Sequence, residues 1–255
     1  MAEPLVSVIV TTYNREEYLK ETLKSILAQT YKDFELIVVD NFSNYDFYKM
    51  IDGVGDPRIR PYQNHNNGII AVNRNFGIKQ AKGKYLAFCD DDDIWCVDKL
   101  EKQVLLIEKT GCDLCYTNAI FFNEDTHCEE KINKRNYNGF RDLMWNNQII
   151  LSSVLVKNTP DILFNENSCV VTSEDYYLWL ELSIKHYKAV LLEDYVLRYR
   201  ISSNSLLRKD YKKSYLICAI VFIDLLIKYP NIKWGAAVCR VATLLFKYSL
   251  KNILK

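Results

Sequence analysis

Four consecutive carboxylates, Asp90 to Asp93, directly follow an apolar run at residues 86–89. Adjacent negative charges repel one another and raise each other's pKa, so such a run is costly unless a cation gathers it. In an extended chain Asp90 and Asp92 point to the same side, and hard oxygen ligands placed so close together suit Mg²⁺ or Mn²⁺ bound with phosphates. The alternative is a solvated acidic turn that caps the next helix, and the run by itself is compatible with both.

The composition restricts the class of partner. A chain of 255 residues allows one large domain or two closely fused lobes, and a hydrophobic content of 49% supports a substantial core. A net charge of +1 argues against a nucleic-acid-binding protein, which normally has a strong basic excess. Residues 208–255, however, contain 10 Lys and Arg against 2 Asp and Glu, a local net charge of +8. This basic tail favours contact with an anionic surface.

The tail also contains two apolar runs, at residues 215–227 and 234–246. Each run is shorter than the ~20 residues needed to cross a bilayer, and Asp224 and Arg240 interrupt them. The runs predict either a helical hairpin packed on the rest of the protein or an amphipathic element lying on an anionic membrane, and the two are compatible.

The cysteines and the start of the chain indicate the compartment. Eight cysteines lie without the spacing of a disulfide framework, so we expect reduced, mostly buried thiols. No signal peptide precedes the first apolar run, so we expect a cytoplasmic protein that is peripheral on the inner face of the cell membrane.

The elements that position the acids alternate between strand and helix. Continuous β-rich runs are typical of strands buried in a parallel sheet, and apolar residues that recur on one face predict helices. The predicted strands lie at residues 5–10, 34–39, 58–62, 84–89, 112–122, 151–156 and 188–199. The predicted helices lie at residues 16–29, 68–81 and 97–109, and another begins at Ser173. This alternation predicts a doubly wound α/β sheet.

Three polar side chains stand where predicted strands end. They are Thr11, Asp40 and Asp90. In open α/β sheets, ligands bind in the crevice outside the carboxyl ends of the strands, so these residues are expected to line a binding site. The chain has neither a Gly-rich dinucleotide fingerprint nor a P-loop, so the sequence supports neither an NAD site nor an ordinary ATP site.

Five motifs, in the same order along the chain, resemble those of the family 2 glycosyltransferases. They are SVIVTTYNR at residues 7–15, IVVDNFS at 37–43, NRNFGI at 73–78, FCDDDD at 88–93 and SED at 173–175. The resemblance covers about residues 5–205, and five ordered motifs are far more specific than one. It implies the GT-A fold, with a mixed, mostly parallel sheet flanked by helices, and an inverting enzyme of bacterial polysaccharide or O-antigen synthesis.

The resemblance assigns donor-binding roles to residues of the first half. Thr11, Tyr13 and Asp40 would hold the uracil and ribose of a UDP-sugar, with Asp40 accepting a hydrogen bond from the uracil ring. Arg74 would lie near the donor diphosphate or sugar. The alternatives are that Asp40 only begins a turn after its strand and that Arg74 is a solvated side chain on a helix.

The acid run and the SED motif receive the metal and catalytic roles. Asp90 and Asp92 match the family's D-x-D motif: Asp92 would bind Mn²⁺ or Mg²⁺, and Asp90 would help to hold the ribose and the metal. Asp91 is counted with the donor-binding residues, although a supporting role behind the ligands is the alternative. Asp175 matches the catalytic base and Glu174 would contact the acceptor, unless both acids only complement the helix dipole.

The sequence departs from the family pattern at two places. Asn41 stands where a second acid usually follows the Asp40 position, and residues 202–205 lack the histidine that many members use as a metal ligand. Water or diphosphate oxygens would then complete the coordination of the metal. The membrane-spanning helices and Trp motif of processive synthases are also missing, which favours the addition of a single sugar.

The sequence therefore predicts a metal-dependent, inverting transfer of one sugar from a UDP-sugar to a glycan hydroxyl. A lipid-linked acceptor, such as an undecaprenyl-diphosphate glycan, would explain the basic tail. Residues 1–100 would bind the donor, residues 101–207 the acceptor, and residues 208–255 would form the tail. One alternative is a nucleotidyltransferase, which would usually have a phosphate-binding loop where this chain has residues 11–14. The other is a non-catalytic scaffold, which the intact acids disfavour.

Overall fold

The strands and helices alternate through the first half of the chain, as predicted. The computed structural model describes residues 5–123, 125–137, 139–201, 211–230 and 235–253. Its strands are β1 Val6–Thr12, β2 Phe34–Asp40, β3 Ile59–Gln63, β4 Tyr85–Asp90, β5 Ile94–Trp95, β6 Leu114–Asn123, β7 Cys128–Ile132, β8 Leu155–Lys157 and β9 Ala189–Arg200. Its helices are α1 Glu16–Leu27, α2 Phe47–Val54, α3 Ile70–Gln80, α4 Lys99–Thr110, α5 Phe140–Trp145, α6 Glu174–Ile184, α7 Tyr211–Lys228 and α8 Gly235–Ile253.

The strands of the described residues form one mixed sheet in the order β3-β2-β1-β4-β8-β6-β9-β5, with β7 paired to β6. Strands β1 to β4 are mutually parallel, whereas β8 runs antiparallel to both β4 and β6. In this register Thr11 lies opposite Val39 on one side and Asp90 on the other. The carboxyl ends of β1, β2 and β4 therefore meet at one edge of the sheet, and the predicted α/β sheet is confirmed.

The sheet separates two apolar cores. Alternate residues of β1 enter opposite cores: Ile9 packs with α3, α6 and α7, whereas Val8 and Val10 pack with α1, α2 and α4. Because both faces are covered, β1 and β2 are buried at every position, which explains their continuous apolar sequence. Gly77 brings α3 close to β1, since a Cβ atom there would lie 2.7 Å from Ile9 Cγ2.

The tail packs on the body of the protein, as predicted for a packed helical hairpin. Phe222 and Leu225 of α7 are fully buried in the core that also contains α6. The Tyr177 hydroxyl of α6 donates a hydrogen bond to Asp224 at 2.6 Å, and Lys228 pairs with Glu181 at 2.8 Å. None of the helices in the described ranges is both long and apolar enough to span a bilayer.

Each tail helix also leaves apolar side chains exposed. They are Ile223 and Ile227 on α7, and Val238, Leu245 and Phe246 on α8. On α8 the spacing of seven and eight residues places the three side chains on one helical face. We call these three side chains of α8 the exposed tail stripe.

Four elements were not predicted: α2, α5, β5 and β7. Strand β7 gives no apolar alternation because its residues are exposed except for a half-buried Ile132, and it forms by pairing with the edge of β6. Helix α2 is short, and its clearest signals are the Asp46 side chain that caps its start and the left-handed Gly55 that ends it.

Two predictions from the sequence were wrong in part. The strand expected at 151–156 begins with a 3₁₀ turn, because Ser153 Oγ donates to the Ile150 carbonyl at 2.6 Å and Ser152 Oγ accepts from the Asp90 amide at 3.0 Å. Such side-chain bonds compete with the strand ladder. The eight cysteines are free, as expected, but only three are buried and three are exposed.

Candidate active site

The loops that follow β1, β2 and β3 contain unusual backbone at the predicted donor edge. Asn14, Phe42 and Asn67 have φ values of 54°, 56° and 51°, in the left-handed region that residues other than glycine rarely adopt. The first two loops hold each other: the Asn14 amide donates to Ser43 Oγ at 2.8 Å, and Asn14 Oδ1 accepts from the Asn44 amide at 2.8 Å. Strained backbone of this kind concentrates at ligand sites.

The structure brings Thr11, Tyr13 and Asp40 to this edge but presents them differently. Thr11 is buried, whereas Tyr13 is 54% exposed. Asp40 is fully buried, and its carboxylate accepts from the Ser43 amide at 3.0 Å, the Ser43 hydroxyl and Gln63 Nε2 at 2.9 Å. Asp40 therefore fastens the turn after β2, which is the alternative role, and its bond to uracil stays a prediction.

An exposed aromatic pair, which the sequence does not predict, lies in the loops that follow β2 and β3. The rings of Phe42 and His65 stack with their centroids 3.8 Å apart and their planes at 14°. Aromatic faces of this kind stack readily on nucleobases. The two residues follow different strands, so no local motif links them in the sequence.

Burial alternates along the acid run. Asp91 and Asp93 are buried, whereas the side chains of Asp90 and Asp92 are 32% and 23% exposed to solvent. Asp90 and Asp92 are thus the two carboxylates of the run that a ligand can reach. The expectation that they share a side assumed an extended chain, whereas β4 ends at Asp90 and the run continues as a turn, in which the Asp93 amide donates to the Asp90 carbonyl at 3.2 Å. Burial strongly disfavours the charged form of Asp93 and raises its pKa well above the usual range.

Arg74 joins the acid run to the start of α6. Its Nη2 donates to Asp90 Oδ1 at 3.0 Å, its Nη1 donates to Glu174 Oε1, and its guanidinium lies 5.3 Å from the centre of the Phe164 ring. Arg74 is buried, so the alternative of a solvated helix side chain is wrong. Glu174 is also buried and serves as the counter-ion of Arg74, while its assigned contact with the acceptor stays a prediction.

Asp175 lies next to this ion pair and is partly exposed. Desolvation, and then the negative charge of Glu174, raise its pKa to about 7, against the opposing effect of Arg74. A carboxylate whose pKa is near neutrality is suited to take a proton from a hydroxyl group at physiological pH. Thr172, just before α6, has a φ of 75°, which is strained for a β-branched residue.

Arg15 contacts the other half of the acid run and was also missed. Its Nη1 donates to Asp92 Oδ2 at 2.7 Å and to Asp91 Oδ1 at 3.0 Å. Asp91 is held from its other oxygen by the Thr12 hydroxyl at 2.7 Å, and burial raises its pKa to about 6. The structure therefore turns Asp91 toward the protein, and its predicted contact with the donor stays a prediction. The only signal for Arg15 was its place in the first motif.

Comparison with known proteins identifies the family. The model of the family described as Glycosyl transferase family 2 matches residues 7–216. The chain belongs to glycosyl transferase family 2. It is therefore a glycosyltransferase, and the nucleotidyltransferase and scaffold alternatives lose their support.

Individual proteins of known name agree with this membership. The Escherichia coli enzyme UDP-Glc:alpha-D-GlcNAc-diphosphoundecaprenol beta-1,3-glucosyltransferase WfgD is 32% identical over 217 residues, which cover 84% of this chain and 83% of that protein. The structure of S. aureus TarS 1-349 in complex with UDP-GlcNAc has a TM-score of 0.68 at 20% identity, over 94% of this chain and 71% of that one. The structure of Pyrobaculum calidifontis PcManGT, in complex with GDP-Man and Mn²⁺, has a TM-score of 0.64 at 17% identity, over 98% of this chain and 76% of that one. These likenesses confirm the GT-A fold.

Arg200 of this family 2 enzyme holds the acid run from the side of β9. Its Nε donates to the Asp92 carbonyl at 2.8 Å, and its backbone amide donates to Asp93 Oδ1 at 3.0 Å. Its Nη2 pairs with Glu21 of α1 at 2.6 Å. Arg200 could not be predicted from the sequence, because its contact with the acid run depends on the pairing of distant strands. Residues 202–205, where the family histidine is missing, lie outside the described residues.

The carboxylate oxygens that this glycosyltransferase offers fit a hard divalent cation that binds together with phosphate. In the described ranges, no group of three or more His, Cys, Asp and Glu side chains converges on a metal position. Asp90 and Asp92 nevertheless provide two reachable carboxylates, and Mg²⁺ is commonly bound by one or two carboxylates with substrate phosphates and water. The residues therefore suit a cation shared with a nucleotide diphosphate.

Proposed function

We propose that this glycosyltransferase moves one sugar from a UDP-sugar to a hydroxyl group of a glycan acceptor, with inversion at the anomeric carbon. The observation that carries the proposal is the link through Arg74, which contacts Asp90 of the acid run and Glu174 beside Asp175. A candidate base and the candidate donor-binding acids thus belong to one connected site. Most donor-side residues precede residue 100 and Asp175 follows it, which supports donor and acceptor halves at 1–100 and 101–207.

Asp175 acts as the general base in the proposed reaction. Its carboxylate takes the proton from the acceptor hydroxyl as that oxygen attacks the anomeric carbon, and UDP leaves from the opposite face with the bonding electrons. An α-linked donor then gives a β-linked product. The positive charge of Arg74 compensates the negative charges of Glu174 and Asp90, which preserves the geometry on both sides of the reacting centre. A divalent cation held by Asp92 and Asp90 would neutralise the diphosphate and improve UDP as a leaving group.

The proposed substrates follow from the named relatives. WfgD, by its name, transfers glucose from UDP-Glc to a GlcNAc-diphosphoundecaprenol, and TarS was solved with UDP-GlcNAc. We therefore assign a UDP-sugar donor and a glycan acceptor linked to undecaprenyl diphosphate, in the synthesis of a bacterial surface polysaccharide. PcManGT was solved with Mn²⁺, which supports a divalent cation in this fold.

A donor screen tests the proposed function. Purified protein is incubated with Mn²⁺, a panel of UDP-sugars and a GlcNAc-diphosphate lipid, and UDP release is measured with and without the lipid. We expect one UDP-sugar to release UDP in a lipid-dependent manner, with a β-linked product by NMR. Absence of UDP release from every UDP-sugar, or an α-linked product, contradicts the proposal.

UDP binding is expected to depend on the divalent cation. Calorimetry should detect clear UDP binding with Mn²⁺ or Mg²⁺ and weak or no binding in EDTA, because the cation bridges the carboxylates and the diphosphate. Asp92→Asn should impair this binding more than Asp91→Asn, since Asp92 is the more exposed of the two. Asp52→Asn, on the exposed face of α2, is the control and should bind as the wild type does. Equal UDP affinity with Mn²⁺ and with EDTA contradicts the metal assignment.

We also propose that the enzyme works at the cytoplasmic face of the membrane, held there by its tail. The support is the net charge of +8 over residues 208–255 together with the exposed tail stripe. Each basic residue near an anionic leaflet contributes about 1 kcal/mol, and apolar side chains of the stripe can enter the interface.

Vesicle binding is expected to require anionic lipid and the exposed tail stripe. Co-sedimentation should fall as salt screens the basic residues, and a triple change of Val238, Leu245 and Phe246 to Ser should weaken it further. Leu105→Ser is the control, because Leu105 is similarly exposed on α4. Deleting the tail is a poor test, since Phe222 is part of the core. A wild-type protein that ignores anionic vesicles at low salt contradicts the membrane role.

A further inference from the structure

Arg15 occupies one oxygen of Asp92, the carboxylate proposed to hold the metal. Its Nη1 lies 2.7 Å from Asp92 Oδ2 and 3.0 Å from Asp91 Oδ1, while Arg74 pairs with Asp90. The Arg15 side chain is 46% exposed, so water reaches its pair with Asp92 from outside. Exposed ion pairs of this type contribute only about 0–1 kcal/mol, so a stronger cation can replace the arginine.

We propose that Arg15 is an internal counter-ion that the donor's divalent cation displaces from Asp92, and that the freed guanidinium then pairs with the donor diphosphate. The inference rests on the proposed function, since it requires a nucleotide diphosphate bound with a metal ion. A guanidinium and a divalent cation on one carboxylate would stand only a few Å apart and repel each other strongly. The two cations therefore compete for the negative charge of Asp92.

The position of Arg15 determines where the freed guanidinium goes. Arg15 immediately precedes α1 and follows the loop after β1, so it stays tethered at the donor edge of the sheet. The planar fork of an arginine matches two phosphate oxygens, which a diphosphate offers and a carboxylate already bound to a metal does not. The exchange compensates the charge of Asp92 before the donor binds and that of the diphosphate afterwards.

Such an exchange makes the cation and the nucleotide bind cooperatively. The cation alone must break the contact of Arg15 with Asp92 and leaves it only Asp91, whereas with UDP present the arginine gains a new partner. UDP should therefore raise the Mn²⁺ affinity by more than its direct coordination of the ion explains, and by linkage Mn²⁺ raises the UDP affinity by the same factor.

The test is Arg15→Gln, with Mn²⁺ affinity measured from the free-ion electron paramagnetic resonance signal, both without nucleotide and with saturating UDP. Without UDP, the variant should bind Mn²⁺ about fivefold more tightly than the wild type, as expected for loss of a competing exposed pair. The factor by which UDP enhances Mn²⁺ binding should shrink at least as much. Lys20→Gln is the matched control: it removes one positive charge from α1, but Lys20 pairs with Glu16 and Glu17.

Each other outcome overturns the inference in a recognisable way. Unchanged Mn²⁺ affinity without UDP shows that Arg15 does not compete for Asp92. An equal rise with and without UDP, or the same rise in Lys20→Gln, reports a general charge effect instead of an exchange. Failure of the wild type to bind Mn²⁺ even with UDP removes the cation of the proposed function, and the inference falls with it.

Discussion

Replacing Asp175 with Asn is expected to reduce the rate of sugar transfer by about 10²–10⁴-fold, the usual contribution of a positioned general base. The Asn side chain keeps the shape of the site but cannot accept the proton of the acceptor hydroxyl. UDP binding should survive, because Asp175 does not belong to the acid run. Single-turnover rates measure the first effect and calorimetry with UDP measures the second.

Asp52→Asn, an exposed change of the same chemistry on α2, is the control and should keep wild-type turnover. An Asp175→Asn enzyme that retains more than half of the wild-type rate would remove Asp175 from the mechanism. Loss of UDP binding together with activity would instead give Asp175 a role in holding the donor.

The pKa of Asp175 adds a pH signature to this prediction. Because burial and Glu174 raise that pKa to about 7, the wild-type rate should rise with pH through about 7, where the carboxylate loses its proton. The unfolded pKa is about 3.9, so the stability contributed by protonated Asp175 is fully present below about pH 4 and is lost as pH rises through the folded pKa. Asp175→Asn should therefore raise the melting temperature more at pH 8 than at pH 4.

Replacing Arg74 with Met is expected to lower the free energy of unfolding by about 3–5 kcal/mol and to abolish transfer. The change leaves buried Glu174 and partly buried Asp90 without their shared cation, and an uncompensated buried charge carries a penalty of that size. Urea unfolding measures the loss of stability, and UDP release measures the loss of activity.

A second variant tests whether the uncompensated charge is the cause. Adding Glu174→Gln to Arg74→Met removes the more buried of the two acids and should restore part of the lost stability. Arg198→Met is the control, because Arg198 pairs with the exposed Glu129 and should lose no more than about 1 kcal/mol. A double variant as unstable as the single one would assign the loss to packing against Phe164.

The sequence was sufficient for the strands and for the edge where they end. β1, β2 and β4 are continuous apolar runs, because both of their faces are covered, and each ends at a polar residue. Parallel pairing then places Thr11 beside Asp90 without further information. The family motifs could be mapped onto this edge because they lie at strand ends and helix starts.

The contacts that complete the site could not be predicted from local pattern. Arg15 reaches Asp92, and Arg74 reaches Glu174, across long stretches of sequence, so these pairs exist only once the sheet has formed. The same reason explains the burial of Asp40: its turn with Ser43 was a recognised alternative, but the contact from Gln63 depends on the pairing of β2 with β3.

The contacts between α6 and α7 determine where hybrid enzymes can be joined. Helix α6 carries Asp175 in its first turn and, further along, holds α7 through Tyr177 and Glu181. A chimera that exchanges tails at residue 207 would strip α6 of its partners and disturb the helix that positions the base. A graft intended to redirect the enzyme to another acceptor should keep α7 and exchange only the sequence that follows it.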